Sequence, residues 1–122
     1  MKHLDEFTQG YLECALWSST DQTRDDGGDP LDDNYSPEDI APASLARMVA
    51  DCAQFQAENE TDLSAGDDGR AGHDFWLTRN GHGAGFWDGD WPEEIGERLT
   101  RACKAYGSCD LIVGDDGLIH AM

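Results

Sequence analysis

The sequence contains very little lysine and no long apolar run. Lysine occurs only as Lys2 and Lys104, against 26 acidic residues in a chain of 122, and the formal net charge is −18. Because phosphates are contacted mainly through Lys and Arg, this balance argues against direct binding to nucleic acid and to anionic membranes. No apolar stretch reaches 18 residues, so the sequence predicts no transmembrane helix.

The sequence also lacks a secretory signal and paired cysteine motifs. The first residues, MKHLDE, become acidic at once, so we expect the protein to stay in the cytoplasm where it is made. The four cysteines, at positions 14, 52, 103 and 109, form no CxxC pair, which disfavours a zinc site. We therefore expect free thiols, no metal and no cofactor.

Large apolar side chains are scarce, since Leu, Ile, Val and Phe together make up only 20 of the 122 residues. With this net charge, the composition lies near that of disordered proteins. Four Trp, three Tyr and four Phe, together with regular helical spacing, indicate that most of the chain folds. The length predicts one domain over 1–122 and leaves open whether the protein is a monomer or a homodimer. The four tryptophans are expected in the core or packed on the sheet, and any disorder is expected in two acidic connectors, at 21–36 and 61–72.

Apolar residues at helical spacing predict three helices. The first covers 4–18 and the second covers about 43–60, each with an apolar stripe along one side. The third opens with Asp90 as its N-cap, followed three residues later by Glu93. Gly107 is expected to end it.

Turn signals predict two β-hairpins. The dipeptide Asn80-Gly81 lies between two apolar segments, 74–79 and 84–87, and Asn-Gly is a strong signal for a two-residue hairpin loop. The second hairpin is predicted within 111–120. The sequence therefore predicts an α+β fold, in which about three helices pack on one face of a roughly four-stranded antiparallel sheet built from the two hairpins.

The acidic segment between Asp21 and Asp39 is the most prominent candidate for a functional surface. Carboxylates held on a folded surface can imitate the phosphates of a polynucleotide and occupy the Lys and Arg side chains of a nucleic-acid enzyme. The alternative is that the acidity serves only solubility or salt adaptation. The residues predicted to contact a basic partner are Asp25, Asp26, Asp29, Asp32 and Asp33, with a second patch at Glu93, Glu94 and Glu97.

Two kinds of ligand site are weaker alternatives. The acids within 25–33 do not follow the spacing of an EF-hand calcium loop. The glycine-rich stretch 81–85 is followed by a predicted strand instead of a helix, so it does not match a phosphate-binding loop. A small anion or a nucleotide signal could still bind beside these glycines, through Trp76, Arg79 and His82.

Enzyme activity is not expected. His73, His82 and Asp74 are close in sequence and could form an acid–base set. No Ser or Cys nucleophile lies at a recognisable spacing from them, so the sequence predicts no catalytic residue.

Four segments of the sequence resemble a family of small acidic proteins encoded by bacteriophages and integrated mobile elements. The segments are ALWSSTD at 15–21, DDNY at 32–35, DIAP at 39–42 and the most specific one, HDFWLTRNGHGAGFWD, at 73–88. The resemblance covers most of the chain and supplies no catalytic residues. It implies the genetic context of a phage or mobile element, in which small acidic proteins often act against host defence. The alternative is an accessory phage protein that is acidic only for solubility. DNA-mimicking antirestriction proteins, which share no motif with this chain, are a functional analogy.

Overall fold

The structure is a computed structural model that describes residues 4–21, 29–81, 85–86 and 91–121. Within these ranges the protein is mostly helical, and no helix is long and apolar enough to cross a membrane. Its α-helices are α1 (Glu6–Ser18), α2 (Pro42–Glu58), α3 (Glu60–Leu63), α4 (Asp68–Arg79) and α5 (Glu93–Cys103). Single turns of 3-10 helix occur at Leu31–Asp33, Pro37–Asp39 and Lys104–Tyr106.

The described part of the chain contains one small sheet. Its strands are β1 (Leu111–Val113) and β2 (Ile119–Ala121), which pair antiparallel with Leu111 opposite Ala121. The amide of Ala121 donates to the Ser44 hydroxyl at 2.9 Å, which fixes the hairpin against α2. The second predicted hairpin is therefore confirmed, as are the helices expected at 4–18 and 43–60.

The predicted four-stranded sheet is wrong, because the segment assigned to its first strand is helical. Helix α4 runs through residues that the sequence pattern divided between an acidic connector at 61–72 and a strand at 74–79. The predicted partner strand at 84–87 is described only at Gly85 and Phe86, and the Phe86 amide donates to the Thr78 hydroxyl of α4. The described part of the chain is thus mainly helical, and it does not form the predicted layer of three helices on a four-stranded sheet.

Both ends of α4 are marked by residues that the sequence pattern assigned to loops and turns. At the start, the Asp67 carboxylate accepts a hydrogen bond from the Arg70 amide at 2.9 Å, as an N-cap does. At the end, Gly81 has a φ of 69° and its amide donates to the Thr78 carbonyl. Glycine in this left-handed conformation commonly ends helices, so Asn80-Gly81 terminates α4 and does not turn a hairpin.

Helix α5 is shorter than predicted at its start. Pro92 occupies the position before the first helical residue, and its carbonyl accepts from the Gly96 amide at 2.8 Å. The predicted cap, Asp90, lies outside the described residues. Trp91 is buried and its ring packs against Phe86, with ring centroids 5.5 Å apart, which fixes the entry to the helix.

Glycines bring α1 and α4 into close contact. A Cβ atom on Gly10 of α1 would collide with the carbonyl group of Gly69 in α4. A Cβ atom on Gly72 of α4 would collide with the Phe7 carbonyl of α1. The backbones of the two helices therefore touch directly, and these glycines are required by packing and not by flexibility.

Helices α1 and α4 run in the same direction. Their early residues meet where Gly10 faces Gly69, and their later residues meet where the Trp76 indole N–H donates to the Ser18 hydroxyl at 2.8 Å. Between these points Tyr11 packs edge-on against Trp76. The N-termini of the two helices consequently lie side by side.

Aromatic rings supply much of the core that the scarce aliphatic residues cannot. Phe55 of α2 stacks on Phe75 of α4 with ring centroids 4.2 Å apart, and it also stacks on Phe86. Phe7 and Tyr106 close the cluster from two other sides. Large buried rings contribute more apolar area per residue than aliphatic side chains, which explains how this composition folds.

The four cysteines are buried free thiols, as the sequence predicts. Burial raises the pKa of Cys14 to about 12, with the Asp74 carboxylate adding to the effect. Burial likewise raises the pKa of Cys103 to about 12. Thiolates, which are the reactive form, are therefore rare at neutral pH.

We expect the alanine variant of Gly72 to be destabilised by about 1–3 kcal/mol, because the new methyl group forces α4 away from α1. Equilibrium urea unfolding measures the change. Gly69→Ala is a matched control in the same helix, since its Cβ meets only the Asp67 carboxylate at 3.3 Å and lies 4.0 Å from the Glu6 carbonyl. If Gly69→Ala lowered the free energy of unfolding as much as Gly72→Ala does, the loss would not come from a close contact specific to Gly72.

We also expect the native thiols to resist alkylation and disulfide exchange at pH 8. A chromogenic disulfide reagent should react slowly with the folded protein and rapidly with all four thiols in denaturant. One thiol that reacts in the native state as fast as a free thiol would show that its burial is wrong.

Candidate functional site

The first predicted acidic patch is exposed where the structure describes it. Asp29, Asp32 and Asp33 are exposed, whereas Asp25 and Asp26 lie outside the described residues. The 3-10 turn that contains Asp32 and Asp33 packs on α1, with the Leu31 side chain fully buried. These carboxylates are therefore fixed to the folded body by an apolar anchor.

The second predicted patch lies on a different element. Glu93, Glu94 and Glu97 are all exposed on the first turns of α5, which packs against α3 and α4. Arg98 on the same helix pairs with Asp62 at 2.8 Å, so its charge is already matched. The two predicted patches thus belong to different parts of the structure: one is attached to α1 and the other to α5.

Arg79, one of the predicted ligand-binding residues, holds several elements of the fold together. Its side chain is 5% exposed, and its Nη1 donates to the Tyr11 hydroxyl at 2.9 Å and to the Asp51 carboxylate at 3.0 Å. Its Nε and Nη2 donate to the carbonyls of Gly107 and Tyr106. Four donors are used internally, so this guanidinium joins α4 to α1, α2 and the loop after α5.

Trp76, the second residue of that alternative site, lies in the core. Trp76 is 2% exposed, and its indole N–H is bonded to Ser18. His82 lies outside the described residues. Since α4 replaces the predicted strand, the glycine hairpin that was expected to carry this ligand does not occur in the described part of 74–87.

A groove follows the line where α1 meets α4 and continues past the starts of both helices to α3 and the end of α2. It consists of three adjoining depressions, of which two share Glu6 and two share Glu13 and His73. Gly10 and Gly69, whose backbones touch, both line its middle part. We call it the seam groove. Its carboxylates are Glu6, Glu13, Asp32, Glu60, Asp67, Asp68 and Asp74, and Arg70 is the one Lys or Arg among its described lining residues.

The start of each helix favours this concentration of negative charge. Asp5 caps α1 and Asp67 caps α4, while Glu6 and Asp68 occupy the first helical turns. The adjacent N-termini carry the positive ends of both helix dipoles, which stabilise carboxylates there. Partial burial opposes ionisation of Asp5, but hydrogen bonds from Thr8 and Gln56 outweigh it and lower the pKa of that carboxyl.

Basic side chains gather toward the opposite end of α4. Arg79 ends that helix, and Arg47 lines a depression together with Arg79 and Tyr106. Lys104 belongs to the same 3-10 turn as Tyr106. A 12-residue helix is roughly 18 Å long, so these cations are well separated from the carboxylates at the start of α4.

The acids of α1 and α4 that line the seam groove were not predicted as a site from the sequence. Glu6 and Glu13 are seven residues apart, a spacing that places them on one side of a helix. The apolar stripe predicts the helix but not the role of the acids on its polar side, which depends on the neighbouring α4. The acids of α4 were missed because the segment was assigned to a connector.

Comparison with known proteins gives no indication of family. No protein-family model matches the chain, and neither a curated protein nor a solved structure with significant similarity is found. Among the described residues, no group of three or more His, Cys, Asp or Glu side chains is placed to hold a metal ion.

Replacing Arg79 with methionine should lower the free energy of unfolding by on the order of 2 kcal/mol, because the Tyr11 hydroxyl, the Asp51 carboxylate and two backbone carbonyls lose the donor that the buried guanidinium supplies. Arg79→Lys should lose less, since it keeps the charge but reaches fewer acceptors. Urea unfolding measures both. Arg101→Met, at an exposed position, is the matched control. A fully stable Arg79→Met variant would contradict the structural role.

Proposed function

We propose that the protein uses the carboxylates of the seam groove to occupy the basic, nucleic-acid-binding surface of another protein. It would act as a phage-encoded DNA mimic that inhibits a host restriction or CRISPR complex. The observation that carries the proposal is the row of carboxylates along two glycine-packed helices. This row lies apart from the cations near the end of α4.

The rigidity of this surface supports mimicry over acidity for solubility alone. Glu6 and Glu13 on one helix are separated by seven residues, which is roughly 10.5 Å along the axis. Asp67 and Asp68 lie at the start of the neighbouring helix, whose position is fixed by the contact at Gly72. Carboxylates carried on packed helices lose less backbone entropy on binding than acids in a flexible segment, so they match a basic groove better.

The overall charge supports a fast and salt-sensitive association. A net charge of −18 creates a long-range field that attracts basic surfaces and repels nucleic acid. Such attraction raises the association rate and is weakened by salt. The proposed partner is therefore a protein with a nucleic-acid groove and not a nucleic acid.

The class of target is supported by the sequence segments that resemble phage and mobile-element proteins, chiefly the one at 73–88. In that setting a protein without a predicted catalytic residue acts by occupying a surface. Host enzymes that must bind foreign DNA present such a surface, lined with Lys and Arg.

The proposal is tested with a triple variant of the seam groove, Glu6→Gln, Glu13→Gln and Asp68→Asn. The control neutralises three exposed acids elsewhere, Glu58→Gln, Asp110→Asn and Asp115→Asn, so the net charge of both variants is the same. Tagged proteins are used to capture partners from bacterial lysate at low and high salt. The captured complex is then tested for competition with labelled duplex DNA.

We expect the wild-type protein to recover a DNA-binding complex at low salt only and to displace DNA from it. The groove variant should compete at least about tenfold less well, and its binding should depend less steeply on salt than that of the wild type. The control should stay near wild type. Equal loss in both variants would mean that only net charge matters, and unchanged competition in the groove variant would refute the proposal.

A further inference from the structure

Trp17 is a large apolar side chain in an acidic surface. It is 60% exposed, whereas Trp76 and Trp91 are buried, so the expectation that the tryptophans lie in the core fails at this position. One exposed apolar residue alone needs no explanation. Trp17, however, lines one end of the seam groove together with Leu77, in a depression of about 680 Å³.

Carboxylates surround this tryptophan. Glu13 lies four residues before it on α1 and hence on the same side of the helix. Asp32 reaches the depression from the 3-10 turn that packs on α1. Asp74 is 4% exposed, and its Oδ2 accepts a hydrogen bond from the Trp91 indole at 2.8 Å, so its position is fixed.

The net charge of this depression is negative although two basic side chains also line it. Arg70 contributes one positive charge against three carboxylates, and His73 adds a charge only when it is protonated. An anionic ligand is therefore disfavoured. A second copy of the chain is disfavoured as well, because each copy carries a net charge of −18.

We propose that this depression anchors an arginine side chain of the basic partner, with the guanidinium lying on the Trp17 indole and hydrogen-bonded to Glu13 or Asp32. Cations bind over tryptophan faces, and a planar guanidinium both stacks on the ring and pairs with a carboxylate. Tryptophan is also among the residues that contribute most to protein interfaces. The inference rests on the proposed function and adds the place where the specific contact is made.

The test uses short, terminally blocked peptides of alternating arginine and glycine, with lysine and glutamate versions as comparisons. Binding to the full chain is measured by calorimetry at low salt. We expect the arginine peptide to bind better than the lysine peptide and the glutamate peptide not to bind. Trp17→Ala should weaken arginine-peptide binding by about 3- to 30-fold, while Trp17→Phe should retain part of it.

A matched pair of charge variants tests the carboxylate part. Asp32→Asn removes a carboxylate from the depression, and Asp115→Asn removes one from an exposed turn elsewhere. Asp32→Asn should weaken binding more than Asp115→Asn. Circular dichroism and thermal unfolding should show that Trp17→Ala remains folded, because the side chain is largely exposed.

Each remaining result would overturn the inference. If the arginine peptide binds equally well to Trp17→Ala and to wild type, the anchor is wrong. The proposed function is judged separately: it still stands if the seam-groove triple variant loses the ability to compete with DNA. No binding of the arginine peptide to wild type would also refute the anchor. Sedimentation that shows a wild-type dimer and a Trp17→Ala monomer would mean that the occupant is a second copy.

Discussion

The direct contact between the backbones of α1 and α4 is the constraint on which the rest of the structure depends. It requires hydrogen at the Cα of Gly10 and Gly72, since any larger group would meet a backbone atom of the facing helix. The contact aligns the two helices in parallel and sets their N-termini side by side. Aromatic rings from α2 and α4 then fill the space around this pair, which makes a small core sufficient for a chain with few aliphatic residues.

The same contact explains why carboxylates are concentrated on one part of the surface. Carboxylates at the two helix starts are brought together by the packing, and the helix dipoles make this arrangement tolerable. Arg79, at the far end of α4, satisfies carbonyls and a carboxylate inside the fold and leaves no cation to neutralise the groove from that position. Arg47 and Arg79 thus lie together away from the seam groove, and Arg70 is the one Lys or Arg among its described lining residues.

Much of the helical framework could be predicted from the sequence, because α1 and α2 have apolar stripes at helical spacing and the terminal hairpin has a clear turn. Helix α4 could not, since Gly69 and Gly72 have the composition of a loop and Asn80-Gly81 has that of a hairpin turn. Only the presence of α1 shows that these glycines serve packing. For the site, exposure at Asp32 and Glu93 agreed with expectation, whereas the role of Arg79 depended on long-range partners that spacing cannot reveal.

Crowding carboxylates at two adjacent helix starts has opposite consequences for folding and for association. Dissolved ions screen the mutual repulsion of these groups and so favour the compact chain. The same ions compete with any cationic surface that approaches. High salt therefore stabilises the folded chain but weakens its attraction to a cationic partner. Low salt destabilises the fold but strengthens that attraction.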